Sequence, residues 1–197
     1  MNSTKMTLAI AFALLCTLPL AAQKTKKAFN GKNFKGWVVP QPNNDNWTIE
    51  NGILHVQSSE DRKGKILWTE KEYTDFIIEA EYKNVSGIVD TGIFLRSETD
   101  QIQIGISGSL KKDVTGSPYI PGKGYPVFST IDGVLKENDW NHIKVKVVGD
   151  TYTVWLNGSE VMTYTSPDIP VSGPIGLQLH PGNIMAVDYK NIRIAEL

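Results

Sequence analysis

Cysteine is nearly missing from this 197-residue chain. The one present, Cys16, lies in the apolar N-terminal stretch, so the rest of the chain has no disulfide to help it fold. Histidine is scarce too. His55, His142 and His180 are scattered without ligand-like spacing, and no metal-binding motif is formed. Neither charge sign dominates, with 20 Lys and Arg against 21 Asp and Glu, which argues against a nucleic acid or other polyanion as partner. Long apolar runs are confined to residues 8–20, a stretch short for a transmembrane helix, and no span is expected beyond it. Helical periodicity is also lacking, and no internal repeat is visible.

What the N-terminus does contain is the pattern of a secretory signal. Lys5 supplies the positive start, residues 8–20 the apolar core, and Ala21-Ala22 a small-residue cleavage site. Leu15 before Cys16 is too large for a lipoprotein signal, so a lipid anchor is the minor alternative. An exported protein, periplasmic or extracellular, is expected. Removal of residues 1–22 takes Lys5 and no acid, leaving 19 basic and 21 acidic side chains. A loose polar leader over 23–28 and one domain over 29–197 are expected, a length that can bury a core without covalent staples.

The remainder reads as short strands between turns. Residues 47–54 give strand, Asn51-Gly52 turn, strand, and Asn157-Gly158 marks a second hairpin. Brief strands are expected over 66–69, 91–97, 101–107, 152–156 and 161–164. Residues 75–85 alternate Phe76, Ile78, Ala80 and Tyr82 with polar neighbours, and Ile143, Val145 and Val147 alternate with His142, Lys144 and Lys146. In 173–194, Ile175, Leu177 and Leu179 oppose Gly176, Gln178 and His180. After Pro181-Gly182-Asn183, the period groups Val187, Tyr189, Asn191 and Arg193 against Asp188, Lys190, Ile192 and Ile194. Residues 108–124 are aperiodic and rich in Gly, Pro, Ser and Lys, which suggests a functional or mobile insert. Trp37, Trp47 and Trp140, at strand starts, are expected in the core. The class is an all-β sandwich or barrel.

In order along the chain stand NFKGW (33–37), WTIENGIL (47–54), DFIIEAEYK (75–83), DTGIFLR (90–96) and IQI (102–104). Thr115-Gly116 with Tyr119, Trp140-Asn141, Leu156-Asn157-Gly158, GPIGLQLH (173–180) and YKNIRIAEL (189–197) follow. This ordered set resembles the 3-keto-disaccharide hydrolase family. The resemblance implies a jelly-roll β-sandwich of the concanavalin-like lectin and glucanase type, exported and acting on sugars. Departures stand at Asp90-Thr91-Gly92 (usually Asn-Ser-Gly), at Gln101 (usually Glu), at Ile106-Ser107 (often an acid) and at Lys190 (usually Arg). They leave open a divergent enzyme or a binder on an enzyme's scaffold.

A ligand on the sheet face gives meaning to strand parity. Arg96 shares a face with Phe94 and Gly92, Gln101 with Gln103, and Gln178 with His180, each opposite an aliphatic face. Three polar faces could line one groove, or simply be wet faces of an antiparallel sheet. The chemistry implied by the resemblance is removal of the acidic C2 proton beside a C3 ketone, elimination of the C1 oxygen, and rehydration. On that scheme His180 is the base, with Asp90 as the outside choice, and Arg96 or a divalent cation holds the enolate. No motif assigns such a cation, and nothing indicates an oligomeric state. Gln103, Gln178 and Gln101 would hold hydroxyls, and Tyr119, Tyr125 and Trp68 could stack on a carbohydrate ligand. His142 reads as a solvated residue and His55 as a surface or edge residue. The alternatives are a non-catalytic carbohydrate-binding module, an adhesion sandwich, or an ordinary glycosidase pairing Asp90 with Glu98 or Asp100.

Overall fold

A computed structural model describes residues 24–41 and 45–197; the expected signal segment with Cys16 lies outside them. Along the chain run β1 (Lys26–Lys27), β2 (Trp37–Val38), β3 (Trp47–Glu50), β4 (Ile53–Gln57), β5 (Lys65–Tyr73), β6 (Phe76–Gly87) and β7 (Asp90–Leu95). They are followed by β8 (Gln101–Gly105), β9 (Pro118–Tyr119), β10 (Asn141–Val148), β11 (Thr151–Leu156), β12 (Ser159–Thr165), β13 (Gly173–Leu179) and β14 (Met185–Glu196). No helix occurs among the described residues. One antiparallel sheet has the order β12-β11-β10-β6-β14-β4-β3, with β1 added on β14. The other has the order β2-β5-β13-β7-β8-β9. This is the expected all-β sandwich.

Period-2 alternation builds the core between the sheets. Ile93, Leu95, Ile102, Ile104, Ile175, Leu177 and Leu179 of the six-stranded sheet meet Ile78, Ile143, Val145, Val154 and Tyr189 of the other, all fully buried. Each such aliphatic side chain contributes roughly 1.5–3 kcal/mol by leaving water. The two Asn-Gly turns form as read, with φ of 52° and 81° at Asn51 and Gly52 and of 50° and 90° at Asn157 and Gly158. Positive φ at both central residues gives the twist that joins antiparallel strands tightly.

Three expectations need correction. In β14 a bulge lies between Lys190 and Arg193, where Asn191 has φ 53°. The extra residue flips the parity, so Ile192 and Ile194 join Val187 and Tyr189 inside while Arg193 turns out. The 23–28 leader is not loose over its described part: β1 pairs with Ile194 and Arg193, and Arg193 Nε donates to Thr25 Oγ1 at 2.9 Å. Trp140 is half-buried rather than core, with Lys190 Nζ 3.9 Å over its ring. Trp37 and Trp47 are buried as expected.

Candidate functional site

On the outer face of the six-stranded sheet, β13, β7 and β8 lie side by side. Gly176 pairs with Phe94, Phe94 with Gln101, and Gly92 with Gln103. The sheet register thus puts residues from three strands on one surface. Two glycines keep it low enough to hold ligand-sized space. A Cβ at Gly176 would stand 2.6 Å from the Trp68 ring, and one at Gly92 would press on Gln101 Nε2 and lie 2.5 Å from the Ile102 carbonyl oxygen. Trp68 and Gln101 therefore lie flat where side chains would otherwise stand.

Two adjoining hollows open there. The smaller, about 330 Å³, is lined among others by Asp90, Gln101, Gln103, Tyr119, Gln178 and His180. The second, about 530 Å³, is bounded by Trp68, Ile66, Lys65 and Pro181. Phe94, Glu98, Gln178 and His180 border both and form the saddle between them. Although β7 and β8 belong to an outer layer, every residue in them is buried. Over β8 the aperiodic insert contributes to this. It folds back through β9 onto β8 and, with the flanking Ser107 and Tyr125, sets Gly108, Ser109 and Pro121 along the wall of the smaller hollow.

Buried polar groups need partners, and these have them. Gln101 Nε2 donates to Gln178 Oε1 at 2.6 Å, joining β8 to β13 across β7. Gln103 Nε2 donates to Asp90 Oδ1 at 2.7 Å, and Gln103 Oε1 accepts the Tyr125 hydroxyl at 3.2 Å. Asp90 is 3 % exposed, and its Oδ2 accepts the Gly108 backbone N–H at 2.8 Å. His180 lies beside it, with Nε2 3.9 Å from Asp90 Oδ2 and a side chain 36 % exposed. At the other ring nitrogen, Nδ1 is 2.7 Å from the Pro181 carbonyl oxygen. A carbonyl can only accept, so Nδ1 carries a hydrogen and the neutral ring keeps its lone pair on Nε2. Tyr119 and Tyr125 stand with ring centroids 5.2 Å apart, and Trp68 and Phe94 with centroids 5.8 Å apart. Burial raises the Tyr125 hydroxyl above its ordinary value, so it stays protonated in neutral solution.

His180, Asp90, Gln103, Gln178, Gln101 and Tyr119 thus share the smaller hollow, and Trp68 lines its neighbour. Arg96 does not join them. β7 ends at Leu95, and Arg96 takes φ 64°, which turns its side chain out of the alternation that would have put it beside Phe94. It is 3 % exposed and binds backbone carbonyls: Nε to Thr74 at 2.8 Å, Nη1 to Gly149 at 2.7 Å and to Pro170 at 2.9 Å. Asp75 Oδ1 lies 3.4 Å from Nη2. Burial lowers the Arg96 pKa, the nearby Asp75 and Asp100 oppose that shift, and the group stays cationic. It is a clamp for three loops.

Asp100 also leaves the groove, fully buried and accepting the Tyr152 hydroxyl at 3.0 Å. Glu98, by contrast, borders both hollows. The parity of Phe94 with Gly92 marked its position in the sequence, whereas nothing local marked the Gly108 N–H, which reaches Asp90 only through the tertiary fold. His55 pairs with Asp188 at 2.6 Å and His142 faces Glu79 at 3.6 Å. Lys190, one of the departures from the family pattern, pairs with Glu81 at 3.3 Å and does not line the groove. Among the described residues, no group of three or more His, Cys, Asp or Glu is arranged to hold a metal ion.

The groove is floored by amides, walled by aromatic rings and set on a two-sheet antiparallel β-sandwich of the concanavalin-like type. The chain belongs to the family described as the 3-keto-alpha-glucoside-1,2-lyase-like domain, whose pattern matches residues 24–195. Among solved structures it is similar to a candidate glycosyl hydrolase from Parabacteroides distasonis ATCC 8503, at 23 % identity and TM-score 0.66, over 88 % of this chain and 100 % of that one. It is also similar to the carbohydrate binding module CBM66 from Bacillus subtilis, at 13 % identity and TM-score 0.53, over 82 % and 96 % of the two chains. A Bacillus subtilis protein of unknown function with a galectin-like fold matches at 13 % identity and TM-score 0.53, over 83 % and 90 %. At these identities the likeness concerns the fold. No curated protein sequence matches.

Proposed function

We propose that the groove cleaves 3-keto-glycosides, with His180 Nε2 as the base that removes the sugar C2 proton. The observation that carries this is the hydrogen bond to the Pro181 carbonyl, which leaves the basic nitrogen beside Asp90 in a sugar-sized hollow. Family membership supplies the substrate class.

In the reaction, the C2 proton passes to Nε2 and the C–H electron pair forms an enolate with the C3 ketone. That pair then moves to form the C1–C2 double bond, and the C1–O bond breaks with its electrons on the glycosidic oxygen. The imidazolium returns its proton to that oxygen. Water adding across the double bond completes net hydrolysis. Asp90 stabilises the transient imidazolium, and positioned proton transfer of this kind is worth about 10²–10⁴-fold. The amides of Gln101, Gln103 and Gln178 orient hydroxyls. Trp68 and Tyr119 offer faces to sugar rings in the two hollows.

Purified protein should release reducing sugar from a 3-keto-disaccharide and not from the parent disaccharide. His180→Ala should lose at least 100-fold in kcat, and undiminished turnover in that variant would remove His180 from the role. A second reading, a carbohydrate-binding module, is favoured by the mutual pairing of Gln101 with Gln178 and of Gln103 with Asp90, since a neutral amide floor suffices for binding. Saturable sugar affinity without product would support it. Residues 1–22 are proposed to direct export to the periplasm or the cell exterior.

A further inference from the structure

Abstraction of a proton beside a ketone places negative charge on the ketone oxygen, and something in the hollow must donate to it. The guanidinium of Arg96 is engaged elsewhere, and no lysine or arginine lines the smaller hollow. Each of the nearest amide donors already gives a hydrogen to a partner in the groove. Gln103 Nε2 and the Gly108 N–H both point at Asp90, and Gln101 Nε2 points at Gln178.

The Tyr125 hydroxyl differs from these. It accepts a hydrogen bond from Ser107, and its own proton goes to Gln103 Oε1 at 3.2 Å, long for an O–H···O bond, which usually closes to about 2.7–2.8 Å. A weakly engaged donor can turn to a stronger acceptor at little cost. It also stands two hydrogen bonds from Asp90, through Gln103, and the other Asp90 oxygen lies 3.9 Å from His180 Nε2. A C2–H at that nitrogen carries its C3 oxygen on the adjacent carbon. The ring is held by Tyr119, centroids 5.2 Å apart, and by Phe128, stacked at 6.0 Å.

We infer that the Tyr125 hydroxyl is a catalytic residue, the donor that holds the enolate oxygen when His180 takes the C2 proton. This rests on the base reading above. No atom is transferred: the phenol keeps its proton and shortens its hydrogen bond as charge develops on the ketone oxygen.

The test is Tyr125→Phe, which keeps the ring contacts and deletes the hydroxyl. On a 3-keto-disaccharide, kcat should fall about 100-fold. The dissociation constant for the unreactive parent disaccharide should stay within about twofold of wild type, as expected of a contact made mainly in the transition state. Exchange of the C2 hydrogen with deuterated solvent, followed by NMR, should fall in the same proportion as kcat. A merely structural wall residue would move the binding constant and the melting temperature instead. Turnover within threefold of wild type, or weakened parent-sugar binding that accounts for the whole loss, overturns the inference and leaves the base reading standing. A wild-type protein inert towards the 3-keto-disaccharide removes both.

Discussion

Backbone carbonyls fix the side chains of both Arg96 and His180. At His180, the Pro181 oxygen selects the tautomer and so decides which nitrogen is basic. At Arg96, three carbonyls from separate loops satisfy a guanidinium that could not be buried otherwise. Arg96→Ala should therefore cost stability rather than catalysis. A loss of about 3 kcal/mol or more in urea unfolding is expected, with kcat of the folded variant little changed. Arg96→Lys should recover little, because a single ammonium cannot reproduce the fork of donors. A variant as stable as wild type would show that the carbonyls find water easily, and the clamp would lose its meaning.

Among the elements, the floor of the groove depends on places where a strand lacks a side chain. Gly92 sits in the middle of β7, where the Gln101 amide crosses toward Gln178. Gly92→Ala puts a methyl group 2.5 Å from the Ile102 carbonyl oxygen and against that amide, so β7 and β8 must separate. A destabilisation of about 1–3 kcal/mol is expected. Sugar affinity measured by calorimetry should drop by roughly tenfold, about the 1.4 kcal/mol of one lost polar contact. Unchanged affinity would mean that the Gln101–Gln178 bridge is not part of the binding floor. The bulge at Asn191 acts on the same scale. One residue at φ 53° moves Ile192 and Ile194 into the core, where unbroken alternation would have left them outside with Lys190.

For the whole molecule, buried tyrosines set the alkaline limit of the fold. Tyr82, Tyr152 and Tyr189 are at most 2 % exposed, and burial lifts each hydroxyl well above its ordinary value of 10.0. The folded state therefore holds these protons more tightly than the unfolded chain does. Stability is full below pH 10 and falls as the pH climbs past it, because only the unfolded chain can release them. The slope is up to about 1.4 kcal/mol per pH unit for each tyrosine. The melting temperature should decline steeply above pH 10. Absorbance at 295 nm should show these three of the seven tyrosines ionising only as the protein unfolds. A flat melting temperature to pH 12, or all seven titrating together in the folded protein, would contradict the assignment.

Alternation and turn chemistry are local, and so the sequence alone determined the strands, both Asn-Gly hairpins, most of the aliphatic core faces and the shared strand faces of Gln101 with Gln103 and of Gln178 with His180. Each of those follows from a period of two or from a dipeptide that tolerates positive φ. The tertiary structure decided what distant residues do to one another. It drew Arg96 away to Gly149 and Pro170, folded the insert onto β8 to bring Tyr125 to Gln103, and set the Gly108 N–H against Asp90. These contacts join segments 18–74 residues apart, a separation that strand periodicity cannot encode.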